Sequence, residues 1–221
     1  AISFLSGCTV LSMSCYTVGR AMLAGEGRVD VKTGTPLALG AALGGLAGKA
    51  LFTAVKDLFQ QSDIVGAVHS ACLAVITLGT LAYTLCKARI HTRRLTAPAA
   101  CCAVGLALGI CSSFLGIGGG PINLVVLYYF FSMDTRTAAA NSLYIILFSQ
   151  LASLLATLIA GTIPDLQLMM LVWMIAGGIG GGIIGRACSR RMDDQAVEKL
   201  FMGLMGVIIA ISLFNCFRFA G

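Results

Sequence analysis

Four glycines fall within the five positions Gly116–Gly120, and Pro121 follows at once, all inside an apolar run from Pro98 to Met133. Each glycine costs a helix about 1 kcal/mol relative to alanine, and the proline removes a backbone donor. The stretch LGIGGGPIN, Leu115 to Asn123, is therefore not plain helix. Hydrocarbon supplies no water for opened backbone groups, so such a break is tolerated only where protein buries it or a wet cavity receives it. Pro121 suits the start of a new helix, and the segment reads as helix, break, helix. The second helix begins with N–H groups that have no acceptor within it and with the positive end of its dipole. That combination suits an anion.

The composition places this break in a membrane. The 221 residues are 58% hydrophobic and only 11% charged, against about 25% charged in soluble domains. Seven apolar segments separate at a bilayer-sized window: Ile2–Ala24, Thr35–Leu58, Ile64–Ala88, Pro98–Met133, Arg136–Ala160, Leu166–Cys188 and Ala196–Phe219. The connections are short, so residues 1–221 form a single all-α, polytopic membrane domain. The net charge of +6 resides in short loops between apolar runs. This is a topogenic pattern and not a nucleic-acid groove, so the lipid bilayer is the partner it implies. The nine cysteines form no CxxC and no zinc-like spacing with histidine. They read mostly as small buried hydrophobes, and neither a metal nor a cofactor is expected.

The basic residues also orient the chain. Lys87, Arg89, Arg93 and Arg94 mark one loop as cytoplasmic, and Arg186, Arg190, Arg191 and Lys199 mark another. Threading from these puts Arg20, Arg28, Lys32 and Arg136 inside as well, and only Lys49, Lys56 and Arg218 outside, 12 of 15 on one side. Both ends of Pro98–Met133 then face the cytoplasm, so the broken segment is expected to enter the membrane and return. Pro121–Phe131 would span roughly 16 Å as helix, about half the hydrocarbon thickness.

A repeat appears at a spacing of 137. Gly40, Gly44, Gly45, Gly48 and Ala50 fall on Gly177, Gly181, Gly182, Gly185 and Ala187. In the charge-based threading the two copies run in opposite directions, which predicts inverted repeats, residues 1–88 and 98–221. The first unit lacks the counterpart of the Gly-rich hairpin, so the sequence reads as truncated, with a further hairpin expected before Ala1. The ladders Gly40/Gly44/Gly48 and Gly177/Gly181/Gly185 are expected to let helix backbones touch.

Candidate binding residues gather at the break and on the helix after it. Gly118, Gly119, Gly120 and Pro121 would offer exposed backbone, and Asn123 either caps the new helix or faces a ligand. Asn141, Ser142, Ser149, Gln150 and Ser153 put polar atoms on an otherwise apolar helix. Intramembrane amides are functional candidates, with helix-to-helix hydrogen bonding as their bland alternative. Asn141→Ala is expected to weaken anion uptake while leaving the folded yield intact. The first unit offers a weaker stripe of Ser6, Thr9, Met13 and Thr17, since hydroxyls can bond back to their own helix. Arg20, Lys49 and Arg186 lie near helix ends and read as snorkelling. No GxSxG-like serine with a placed histidine is present, nor a phosphate-binding loop, so no catalytic residue is expected.

The segment Gly105–Leu127 with its LGIGGGPIN core, the helix start TAAANSL at Thr137–Leu143 and the glycine ladder Gly177–Gly185 together resemble the TauE/SafE family of sulfite exporters, also called the 4-toluene sulfonate uptake permease family. Arg28-Val-Asp30 and the Gly40–Gly48 ladder are similar to the family's first repeat. The resemblance implies a multi-pass permease of the bacterial inner membrane for sulfite, organosulfonates or related small anions. Such a secondary transporter would work by alternating access with H+ or Na+ as a possible coupling ion, the oligomeric state being left open. An anion channel, or a sensory or partner subunit of the membrane, is the alternative, since a re-entrant loop also suits a pore.

Overall fold

The computed structural model describes residues 2–24, 29–58, 62–87, 91–115, 120–161 and 168–220. These form eight helices: α1 (Ile2–Leu23), α2 (Val31–Leu58), α3 (Ser62–Cys86), α4 (Pro98–Leu115), α5 (Gly120–Phe131), α6 (Thr135–Ile159), α7 (Leu168–Arg191) and α8 (Asp194–Ala220). No strand occurs among the described residues. Three stretches, Thr135–Ile159, Met169–Arg191 and Asp194–Phe217, are long and apolar enough to cross a membrane. Ser70–Cys86, Pro98–Ser113 and Gly120–Phe131 are apolar but shorter. Trp173, Ile184, Leu204, Phe214 and Phe217 all lie exposed on the outside of the bundle. Hydrocarbon tolerates such a surface and water does not. The chain is a polytopic helical membrane protein.

The helix boundaries follow from local chemistry. The Asp30 carboxylate accepts hydrogen bonds from the backbone N–H of Lys32 and Thr33 and from the Thr33 hydroxyl. This cap starts α2 at Val31, four residues before the apolar run begins. Asp134 starts α6 in the same way, its carboxylate accepting from the N–H of Arg136 and Thr137. Asp193 serves α8, accepting from the N–H of Ala196 at 2.8 Å. Pro98 opens α4, where its missing donor costs nothing. Gly161, at φ +63°, ends α6 with its N–H on Leu158 O. The fourth apolar segment is two helices. The first ends at Leu115 and the second begins at Gly120, one residue before the expected start.

The core lies where α2, α4, α5 and α6 meet, built from Leu37, Ala38, Ala41, Cys101, Leu108, Leu127 and Ile145. Helices α2 and α4 run parallel with their backbones touching. A Cβ on Gly40 would overlap the carbonyl of Cys102, and one on Gly44 the carbonyl of Leu106. One on Gly48 would lie 2.6 Å from Ile110 O. Gly105 and Gly109 of α4 meet Leu37 and Ala41 in the same fashion. The first ladder is thus a packing seam, as expected.

The second ladder is not. Among the described residues nothing lies within 4 Å of the Cβ positions of Gly177, Gly181 and Gly185. Instead Gly178 and Gly182, on the neighbouring face of α7, receive Thr9 and Thr17 of α1. The helix pairs are α1 with α6 and α7, α2 with α4 and α6, and α3 with α8. Thus α1 meets α7 as α6 meets α2.

One end of the bundle gathers the charges. There Lys87 pairs with Glu198 and Arg136 with Asp194, the Arg136 guanidinium also donating to Met192 O. Arg186 donates to Arg20 O at 3.5 Å at the same end. At the far end Lys49 reaches Thr157 Oγ1, 3.1 Å away.

Candidate functional site

Helix α5 has 12 residues and so spans about 18 Å, well short of a bilayer. Its two ends are treated differently. At its C-terminus, Arg93 N–H donates to Tyr129 O at 2.7 Å and Leu95 N–H to Phe130 O at 2.9 Å. Ser132 and Met133 N–H take the carbonyls of Tyr128 and Leu127. The Ser132 hydroxyl donates to Thr92 Oγ1 and contacts Arg93 O, which ties the turn to the segment before α4. The carbonyls of Leu127, Tyr128, Tyr129 and Phe130 are satisfied, and this end sits beside the start of α4. Its first turn, Gly120–Asn123, opens directly after the break.

Gly120 and Pro121 therefore stand at a helix N-terminus, with Pro121 buried and no described residue within 4 Å of where a Gly120 Cβ would be. Gly118 and Gly119 lie outside the described residues. Asn123 is 1% exposed. Its Nδ2 donates to Ser142 Oγ at 3.3 Å, and its Oδ1 is buried without a hydrogen-bond partner among the described residues. An unmatched buried amide oxygen costs about 1–3 kcal/mol, which a structure retains only for a reason.

Helix α6 is the hub on which the other candidates are placed, each facing a different neighbour. Ser142 faces α5. Asn141, fully buried, accepts from Asp30 N–H through Oδ1 at 3.1 Å and donates from Nδ2 to Thr137 O at 2.8 Å. The Asn141 amide thus fastens the start of α2 to α6. Ser149 donates to Ala41 O of α2 at 3.5 Å and lies 2.8 Å from where a Gly45 Cβ would be. Gln150 turns to α1, with Oε1 3.3 Å from the corresponding position on Gly7. Helix α6 runs antiparallel to α5, so Ser149 lies two turns beyond Ser142, past the first residue of α5. Ser113, near the end of α4, reaches the same Gly45 position at 3.3 Å.

Asn123 thus lies on the first turn of α5 with Ser142 of α6 against it, while Ser149 of α6 and Ser113 of α4 meet beside Gly45 of α2. Ser113 is the residue that the polar pattern of α6 could not supply. Its signal was the pair Ser112–Ser113 just before the glycines. The first-unit candidates lie elsewhere. Thr9 bonds back to Leu5 O at 2.9 Å and packs on Gly178, and Ser6 is exposed on the surface of α1. No group of three or more His, Cys, Asp or Glu able to hold a metal occurs among the described residues.

Beyond the spans, burial raises the pKa of the capping Asp134, but hydrogen bonds from the Thr137 hydroxyl and N–H and from Arg136 N–H outweigh it. Its carboxyl is held below the usual carboxylate range.

No curated protein and no solved structure matches the chain. A family model described as Sulfite exporter TauE/SafE matches residues 2–213, nearly the whole length, over the helices, the break and the glycine ladders described above. The chain therefore belongs to the TauE/SafE sulfite exporter family, a family of membrane transporters and not of enzymes.

Proposed function

We propose that this protein is a secondary carrier of small anions, sulfite or organosulfonates and their kin, in the inner membrane of a bacterium. The anion is taken up at the break between α4 and α5, with backbone from Gly118–Gly120 and side chains of Asn123, Ser142 and Ser149. The observation that carries this reading is the Asn123 amide on the first turn of α5, 1% exposed, its oxygen without a hydrogen-bond partner among the described residues. The first N–H groups of α5 have no acceptor within the helix, and its dipole is positive there. Each charge-assisted hydrogen bond to an anion is worth about 1.5–3 kcal/mol.

Turning the Asn123 amide over exchanges its roles. Ser142 then donates to Oδ1, and Nδ2 carries its N–H groups toward the break. The same side chain can thus offer a donor to an oxyanion or an acceptor to a protonated one. On this reading α4 and α5 form a re-entrant hairpin. The meeting of the α5 C-terminus with the segment before α4 supports it, as does the gathering of basic residues at that end. The two inverted units rock about this site, and H+ or Na+ supplies the coupling. The pairing of α1 with α7 and of α6 with α2 is in keeping with such units.

Uptake of sulfite, thiosulfate, sulfoacetate and taurine into proteoliposomes tests the proposal. Saturation and counterflow are expected for at least one of them. Flux that rises linearly with concentration and shows no counterflow would replace the carrier with a channel.

A further inference from the structure

At the charged end of α5, helices α3, α5, α6 and α8 enclose a cleft. Leu124 lines it next to the candidate site residue Asn123, and Tyr128 lines it one turn further toward the α5 C-terminus. The cleft thus covers about one turn of α5, from Leu124 to Tyr128. Tyr83, Thr84, Lys87 and Glu198 close its other walls. Lys87 Nζ lies 2.5 Å from Glu198 Oε2, with the two side chains 23% and 24% exposed. The same ammonium is 5.3 Å from the centre of the Tyr128 ring. Tyr83 sets its ring edge-on to Tyr128 and Tyr129, and its hydroxyl is buried with no hydrogen-bond partner among the described residues. The nearby carboxylates are already employed: Asp194 pairs with Arg136, and Asp134 caps α6.

A strap between α3 and α8 would explain the ion pair alone. It does not explain why a desolvated hydroxyl donor is left open in the same cleft. Resting on the reading above, we propose that Lys87 and Tyr83 form a second, outer site for the transported oxyanion at the charged mouth of the pathway. Glu198 is the resident counter-ion that the anion displaces. In the unliganded protein Glu198 neutralises the ammonium. An arriving oxyanion takes its place, accepts from Lys87 Nζ and the Tyr83 hydroxyl, and then moves along α5 to the break. Substituting one counter-ion for another keeps the desolvation of Lys87 small in both states.

The two roles differ in sign. A strap is broken equally by removing either partner, whereas a counter-ion competes with the anion. Sulfite uptake by the full chain in proteoliposomes is measured for wild type, Lys87→Gln, Lys87→Arg, Glu198→Gln and Tyr83→Phe, normalised to folded protein. Glu198→Gln is expected to lower the apparent KM about three- to tenfold, and Lys87→Gln to raise it by a similar factor, with the maximal rate little changed. Lys87→Arg stays near wild type. Tyr83→Phe, which keeps the ring packing, raises KM a few-fold. If Glu198→Gln and Lys87→Gln raise KM alike, the pair is only a strap and the outer site does not exist. Should Glu198→Gln fail to fold, Tyr83→Phe decides, and an unchanged KM overturns the proposal. Wild-type flux no greater than in protein-free vesicles for sulfite, thiosulfate, sulfoacetate and taurine alike would remove the carrier reading beneath it. Wild-type flux without the expected opposition of Glu198 and Lys87 removes the outer site alone.

Discussion

The side-chain oxygen of Asn141 accepts a hydrogen bond from the backbone N–H of Asp30, 3.1 Å away and 111 residues earlier in the chain. The bond joins the second turn of α6 to the cap of α2, and Asp30 in turn holds Lys32 and Thr33. A fully buried amide with its oxygen on one helix start and its nitrogen on Thr137 O has a structural task whatever else it does.

Asn141→Ala is therefore expected to lower stability, by about 1–3 kcal/mol, because Asp30 N–H loses its acceptor in a buried place. This reverses the expectation from sequence that its folded yield would be unaffected. Thermal unfolding in detergent checks it. A melting temperature equal to wild type would mean that water replaces the amide.

Asn123→Ala should behave in the opposite way. Among the described residues the Asn123 oxygen has no partner to lose, and only the bond to Ser142 disappears. The folded state is expected to change by about 1 kcal/mol or less, while anion uptake per folded molecule falls roughly tenfold, the worth of one charge-assisted donor. Paired measurements of melting and of initial uptake rate separate the two effects. Unchanged uptake would place the anion elsewhere.

The glycine ladders give a contrast that sequence could not. Gly44→Ala drives a methyl into the carbonyl of Leu106, where two backbones meet and neither can yield. It should cost about 3 kcal/mol or more, beyond ordinary overpacking. Gly181→Ala meets no described residue within 4 Å and should gain up to about 1 kcal/mol from helix propensity. Denaturation of the two variants side by side checks the prediction, and equal losses would show that the second ladder is covered in the membrane.

That contrast marks what the sequence could convey. The break after Leu115 and the restart at Pro121 were legible because glycine and proline act through local backbone energetics. The apolar segments were legible because hydrocarbon admits few alternatives to helix. Which face of a glycine-rich helix finds a partner was not legible, since α7 offers Gly177/Gly181/Gly185 and Gly178/Gly182 equally and tertiary packing chose the second pair. Nor was the division of labour on α6. The i+7 spacing that unites Ser142 with Ser149 says nothing of which helix each meets. Adjacent Asn141 turns toward α2, and its role is fixed by Asp30, far away in the chain. Ser113 was passed over because it precedes the break, where the pattern gives no face. Lys87 reads as a loop charge in the sequence, and only the antiparallel pairing of α3 and α8 brings it to Glu198.

The cap of α6 should make stability sensitive to acid. Asp134 has its carboxyl held below the usual range in the folded state, despite burial, by hydrogen bonds from Thr137 and Arg136. A depressed folded value means that the unfolded chain binds the proton first. The stabilisation is fully present above the ordinary carboxylate value, about 3.9, and is lost as pH falls through the lower folded value. Asp134→Asn keeps the capping geometry without the charge, and Asp134→Ala removes both, at about 1 kcal/mol for the cap. At pH 7 the order of melting temperature is expected to be wild type, Asn, Ala. Below the ordinary carboxylate value the gap between wild type and Asn should narrow, closing as pH falls through the lower folded value and the wild-type carboxyl becomes neutral, while the gap to Ala narrows but remains. Measurement needs only detergent-solubilised protein and a pH series at constant ionic strength. A gap between wild type and Asp134→Asn that is constant from pH 7 to pH 3 would mean that the charge of Asp134 contributes nothing, and that α6 starts on geometry alone.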